Sequence, residues 1–150
     1  MSDSADIACL IFVVNEHQFA ISSDMVYRIE RFDKSNIQFK DNKPAFYHVG
    51  DYVITLDWLL EGNIKKDSLT TFDRLILYRN NGKIRGIPAS SLVRVQNCSS
   101  ENLSLVPVSF RSAKKMKWIK LFIINQEPEE IIPVLGLDYL ENFISDKKRK

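Results

Sequence analysis

The feature that most constrains this chain is that it says the same thing twice. Asn15-Glu16-His17-Gln18-Phe19-Ala20-Ile21 through Ile29 lies beside Asn81-Gly82-Lys83-Ile84-Arg85-Gly86-Ile87 through Val95 without a gap. Asn15 matches Asn81, Ala20 matches Gly86, Ile21 matches Ile87, Val26 matches Leu92 and Arg28 matches Arg94. Each copy follows an apolar, strand-like run, Leu10–Val14 in one case and Leu75–Tyr78 in the other. Internal repetition of this kind fixes architecture before any local propensity does. It implies two similar small β-units, with a polar linker at 63–71 between them.

The same grammar returns around the most β-prone stretch. Phe46-Tyr47-His48-Val49-Gly50-Asp51-Tyr52-Val53-Ile54-Thr55-Leu56-Asp57-Trp58 reads as a turn at Gly50-Asp51 followed by a strand from Tyr52 to Leu56. β-Branched and aromatic residues suit a pleated, half-buried surface. Asp57 then stands where a carboxylate would cap a short helical turn, Trp58-Leu59-Leu60, closed by Gly62. Leu137-Asp138-Tyr139-Leu140 echoes Leu56-Asp57-Trp58-Leu59, so Asp138 is expected to cap as well.

Elsewhere the pattern is again that of strands. Ile7–Val14 is a continuous apolar run, suited to a strand buried on both faces. Asn15-Glu16-His17 turns it back on Gln18–Ile21. Ser22-Ser23-Asp24 marks a bend or a single helical turn. Met25–Phe32 alternates imperfectly, and strand and short helix both fit it. Asp33–Pro44 reads as an irregular connection. Asn80-Asn81-Gly82 is a hairpin turn, Ser99–Asn102 another turn, and Trp118–Asn125 with Ile131–Leu135 a last hairpin. Leu137–Ile144 is expected as a short terminal helix.

The bulk properties exclude more than they select. The chain has 150 residues, 45% of them apolar, enough for a real core. Its net charge is +2, and the tail Lys147–Lys150 carries four positive charges, so the remainder is slightly acidic. That argues against nucleic acid as the partner. The basic loop 111–120 and the tail are the features that a nucleic-acid or anionic-lipid reading would use. The acidic N-terminus Met1–Asp6 lacks the basic region of a signal peptide, and no apolar run approaches the roughly 20 residues of a membrane span. A soluble, cytoplasmic protein is expected.

Candidate chemistry is sparse. His17 and His48 are far apart, neither Cys9 nor Cys98 has a neighbouring cysteine at zinc-ligand spacing, and no metal site is expected. Cys9 and Cys98 are open to pairing, although two reduced structural thiols are commoner in the cytosol. Gly82-Lys83-Ile84-Arg85-Gly86 matches no phosphate-binding order, and Ser90-Ser91 lacks a nucleophile elbow. No cofactor and no catalytic residue are expected.

The repeat, the hairpins and the paired Asp segments together resemble the CheW-like domain, the coupling protein family of bacterial chemotaxis. Phe12-Val13-Val14 with Phe19-Ala20-Ile21 is similar to that family's first hairpin. Gly50–Asp57 is similar to its central segment, Leu75–Tyr78 through Pro88 and Val93-Arg94-Val95 to its second-subdomain core, and Ile132–Leu140 to its closing segment. The resemblance implies a mainly β fold of two small five-stranded SH3-like barrels packed on a shared core, with short helices. It implies a non-enzymatic adaptor that joins a chemoreceptor tip or other signalling protein to a CheA-type histidine kinase. Tyr47, His48, Val49, Gly50 and Asp51 are the expected partner-binding residues. The family's usual Asn-Leu-Arg-Gly is Tyr47-His48-Val49-Gly50 here, and Thr55 stands in place of the usual Pro. Losing a planar, bidentate donor at Val49 implies an altered partner specificity.

Overall fold

The computed structural model describes residues 6–59, 71–80, 82–105, 119–127 and 129–135. Twelve strands make up almost all of it: β1 (Ile7–Val14), β2 (His17–Ser22), β3 (Val26–Arg31), β4 (Ile37–Lys40), β5 (Lys43–Val49), β6 (Tyr52–Leu56), β7 (Arg74–Asn80), β8 (Lys83–Ala89), β9 (Ser91–Cys98), β10 (Leu103–Leu105), β11 (Ile119–Gln126) and β12 (Glu129–Leu135). Two 3₁₀ turns, Ser23–Met25 and Lys34–Asn36, are the helical elements among the described residues. None is long or apolar enough to cross a membrane.

The strands form two six-stranded sheets, ordered β10-β11-β12-β2-β1-β9 and β3-β7-β8-β6-β5-β4. The orders correspond strand for strand, with β1–β6 in the roles of β7–β12. Each sheet takes its central hairpin from one repeat and its other four strands from the other. The chain therefore divides into two compact units that are not its two halves: 1–11, 18–23 and 94–150 form one, 12–17 and 24–93 the other. The linker expected at 63–71 lies, apart from Thr71, outside the described residues.

In the first unit the central hairpin strand β2 meets β12 in parallel, with Val134 opposite Ala20. Ile7, Cys9, Ile11, Leu121, Ile123, Ile132 and Val134 form its core, all nearly inaccessible to solvent. Each large aliphatic side chain removed from water in this way contributes about 1.5–3 kcal/mol. The edge strand β9 reaches across to β11 and β12 through side chains: Gln96 Nε2 donates to Asn125 Oδ1 at 2.8 Å, and Arg94 pairs with Glu130 at 2.9 Å. The sheet thus curls into a small barrel. Cys9 and Cys98 are both free and buried on adjacent strands of it. Their mutual hydrogen bond, together with burial, pushes the Cys9 thiol up.

The second unit closes with aromatic rings instead. Phe32, just beyond β3, stacks on Tyr47 of β5 with centroids 5.3 Å apart. Trp58 and Phe72 meet Phe32 and each other edge to face, the geometry that their quadrupoles favour. The Trp58 indole donates to the Pro44 carbonyl. At the centre Gly86 carries no side chain because there is no space for one. A Cβ there would lie 2.8 Å from Ile54 Cδ1 and 2.9 Å from Leu75 Cδ1.

Several expectations are met: the β1–β2 and β11–β12 hairpins, the central strand, and mainly β architecture. Others are corrected. Each sheet has six strands rather than five. Of the two readings of Met25–Phe32 the strand holds, over Val26–Arg31. Asp33–Pro44 is not irregular: Asp33 caps a 3₁₀ turn, its carboxylate accepting from Ser35 N at 3.0 Å, and β4 follows. Asp41 and Asn42 then turn the chain with φ of +54° and +66°, a left-handed pair that Asp and Asn tolerate better than most residues. The terminal segment 136–150, and with it Asp138, lies outside the described residues, as do 106–118.

Gly86→Val is expected to destabilise the fold by about 2–3 kcal/mol through overpacking, with Gly86→Ala costing less because the contacts are methyl ends. Urea unfolding monitored by tryptophan fluorescence measures both.

Candidate functional site

The β5–β6 hairpin carries the residues expected to bind a partner, and its two faces differ sharply. Gly50 has φ of +60° with open space around it; the turn needs the conformation, not the room. Val49, Gly50 and Asp51 form the tip, with Gly50 and Asp51 exposed and Val49 half-buried. His48 is exposed as well, and its Nε2 lies 2.9 Å from Gln38 Oε1 on the neighbouring strand. Tyr47 does not belong with them. It is 3% exposed, stacked on Phe32, and its hydroxyl accepts from Asp33 N at 2.9 Å. It is part of the aromatic cluster of the barrel, which leaves His48, Val49, Gly50 and Asp51 as the more accessible members of the set.

Two recesses open on either side of this tip, and Val49 and Gly50 line both. One, of about 600 Å³, includes Phe32, Asp33, Lys34 and His48. The Asp33 carboxyl is held below the usual carboxylate range by its bonds from Ser35. The other, of about 830 Å³, includes Tyr27, Arg28, Tyr52, Val53, Lys83 and Arg85. Large apolar side chains stand open to solvent around it: Tyr52 is 77% exposed, Val53 50% and Tyr27 48%. The Arg79 guanidinium sits 4.7 Å over the Tyr27 ring, an arrangement that keeps both ordered.

Beneath the second recess, Asp57 is a brace. The sequence suggests a carboxylate capping the next turn, but residues 57–59 are not helical. Among the described residues its carboxylate partners lie across the sheet. Arg85 donates to it twice, Nε to Oδ2 at 2.8 Å and Nη2 to Oδ1 at 2.5 Å, and the Tyr78 hydroxyl donates to Oδ2. Its backbone N–H donates to Gly86 O at 2.7 Å. The reason is register: Tyr78 and Arg85 are cross-strand neighbours on β7 and β8, and Arg85 is opposite Thr55 on β6. A carboxylate two residues after Thr55, just past the end of β6, therefore reaches both. Burial and the Asp57 carboxylate push the Tyr78 phenol above its ordinary value, and the hydrogen bonds to Asp57 raise Arg85. The same register places Val134, not Leu137, in the position of Leu56, opposite the hairpin strand's small residue. The Leu-Asp echo at 137–138 lies outside the described residues.

The first unit has its own polar recess, of about 900 Å³, beside Gln96, Asn125 and Glu130. Asn125 and Arg94 hold the Glu130 carboxyl below its usual range. Among the described residues, no group of three or more His, Cys, Asp or Glu is placed to hold a metal ion. What sequence reading missed was Arg85 and Tyr78. The available signal was an arginine set inside an otherwise apolar return strand, beside a glycine.

Two outcomes test the brace. Asp57→Ala leaves Arg85 and Tyr78 unpaired and is expected to cost about 2–3 kcal/mol, below the range for fully buried pairs because Arg85 retains some solvent. Tyr78 holds its proton more tightly folded than unfolded, so its contribution is complete below about pH 10 and falls as pH rises beyond it. Urea unfolding at alkaline pH is expected to show a shallower loss of stability in Tyr78→Phe than in the parent.

No family model and no curated protein matches this sequence. A solved structure does match it: the scaffolding protein TtCheW from Thermoanaerobacter tengcongensis, with a TM-score of 0.66 at 10% identity, covering 88% of this chain and 90% of that one. Two curled six-stranded sheets with exchanged hairpins and a likeness spanning nearly both chains lead to one conclusion: this protein has a CheW-like fold.

Proposed function

We propose that the protein is a non-catalytic CheW-like adaptor that couples a chemoreceptor or other signalling protein to a CheA-type histidine kinase, with altered partner specificity. The observation that carries this reading is the likeness to a scaffolding protein over nearly the full length of both chains. The local chemistry agrees with it. Asp57, the best-placed carboxylate, has both oxygens engaged by Arg85 and Tyr78, which suits a fixed brace rather than proton transfer. Exposed apolar side chains cluster beside the Val49-Gly50-Asp51 tip, as a docking surface requires.

The alternative, a barrel that binds nucleic acid or anionic lipid, rests on loop 111–120 and the tail 147–150. Residues 111–118 and the tail lie outside the described residues, and nothing observed favours it.

Calorimetric titration with the regulatory domain of a CheA-type kinase is expected to give micromolar binding, and no heat at that concentration overturns the kinase-adaptor reading. Val49→Arg restores the donor usual at that position. It is expected to strengthen binding to a receptor tip hairpin by about tenfold, the scale of one charge-assisted hydrogen bond. An unchanged affinity removes Val49 as the cause of altered specificity.

A further inference from the structure

The second sheet is split. β6 and β8 run parallel but pair only at Thr55 with Arg85 and Leu56 with Gly86. Toward their N-terminal ends they part. There Tyr52, Val53 and Ile54 keep their pairing to β5 on one side, and Lys83 and Ile84 keep theirs to β7. Among the described residues, neither stretch has a strand on its other side. The recess of about 830 Å³ lies between them, walled by Tyr52, Val53, Ile54, Lys83, Ile84 and Arg85. Backbone groups facing such a gap form a template for a further strand.

The walls also select its chemistry. Tyr52 and Val53 offer apolar contact at 77% and 50% exposure. Among the recess-lining residues, Arg28, Lys83 and Arg85 face a single acid, Asp51. Arg28 is paired with Glu30 and Arg85 with Asp57. Lys83 has no ion-pair partner among the described residues, and the Arg79 guanidinium lies nearby over Tyr27. The Asp57–Arg85 pair stands at the vertex, where the two strands rejoin, so it holds the split at a fixed width.

We infer that this split is a docking slot for a short extended protein segment, apolar on alternate residues and acidic between them, which adds as a strand between β6 and β8. Three to five residues fill the length that Tyr52–Ile54 leaves open. The register puts Tyr52, Ile54 and Ile84 on one face and Lys83 with Val53 on the other, so the apolar side chains of the segment fall on the first face and its carboxylates on the face of Lys83. The inference rests on the adaptor reading for the source of the segment, a partner protein, but the slot itself is tested without that partner.

The test uses the whole ¹⁵N-labelled chain and two capped nonapeptides, one alternating valine with glutamate and the other valine with lysine. The glutamate peptide is expected to shift the amides of Tyr52–Ile54 and Lys83–Arg85 saturably. Lys83→Glu is expected to weaken it about fivefold, the effect of reversing one exposed charge, with Lys83→Gln as the milder variant should the reversal disturb folding. The lysine peptide is expected to bind at least as much more weakly. Equal binding of both peptides, shifts confined to another surface, or none at millimolar peptide overturns the proposal. The same labelled sample titrated with the kinase regulatory domain separates the two readings. Kinase binding without a peptide effect overturns the slot alone, whereas a peptide effect without kinase binding upholds the slot and removes that kinase as the source of the segment.

Discussion

The architecture of the second unit depends on one short parallel contact, where Leu56 lies beside Gly86 and Asp57 binds Arg85. Two strands drawn from different repeats meet there, and only two residue pairs join them. A contact so short leaves little backbone hydrogen bonding to hold β6 in the sheet. The side chains supply the rest: a bidentate ion pair, a phenol donating to the same carboxylate, and a glycine that lets Ile54, Leu56 and Leu75 close over the junction. The ion pair is worth having here because it is only partly shielded. Arg85 keeps a third of its side chain in water, so the desolvation cost that undermines deeply buried pairs is moderated.

The two units solve the closure problem with opposite chemistry. In one, amide and charged side chains tie the edge strand β9 to β11 and β12, Gln96 to Asn125 and Arg94 to Glu130. In the other, Phe32, Tyr47, Trp58 and Phe72 form a ring cluster. The backbone pattern is repeated while the side chains that complete it are not. This explains how a repeat can persist in topology with so little left in the letters.

That contrast also explains what could be read in advance. The repeat, the long apolar strands and the Gly50 turn were legible because period and turn chemistry act locally. The mainly β, CheW-like architecture followed from them. The edge strands β4 and β10 were not legible: they are four and three residues long, too short for alternation to stand out, and β4 is announced only by the Asp41-Asn42 turn. The burial of Tyr47 was not legible, because an aromatic residue next to an exposed histidine looks accessible in one dimension, while the pleat turns alternate residues to opposite faces. Asp57 was expected to serve its own neighbours in sequence, whereas its partners are fixed by the pairing of β6 with β8. Long-range register is the information that a single sequence carries least openly.

The exchange of hairpins has a consequence for synthesis on the ribosome. Every strand of the sheet β3-β7-β8-β6-β5-β4 lies within residues 26–89, so its hydrogen-bonding partners have all emerged before β9–β12 are made. The other sheet pairs Ala20 with Val134 and must wait for β12 to leave the exit tunnel. Until then β1 and β2, among the most apolar segments of the nascent chain, lack most of their neighbours. Of these twelve strands the first to be made are thus the last to be covered, and that interval is when a chaperone has most to protect.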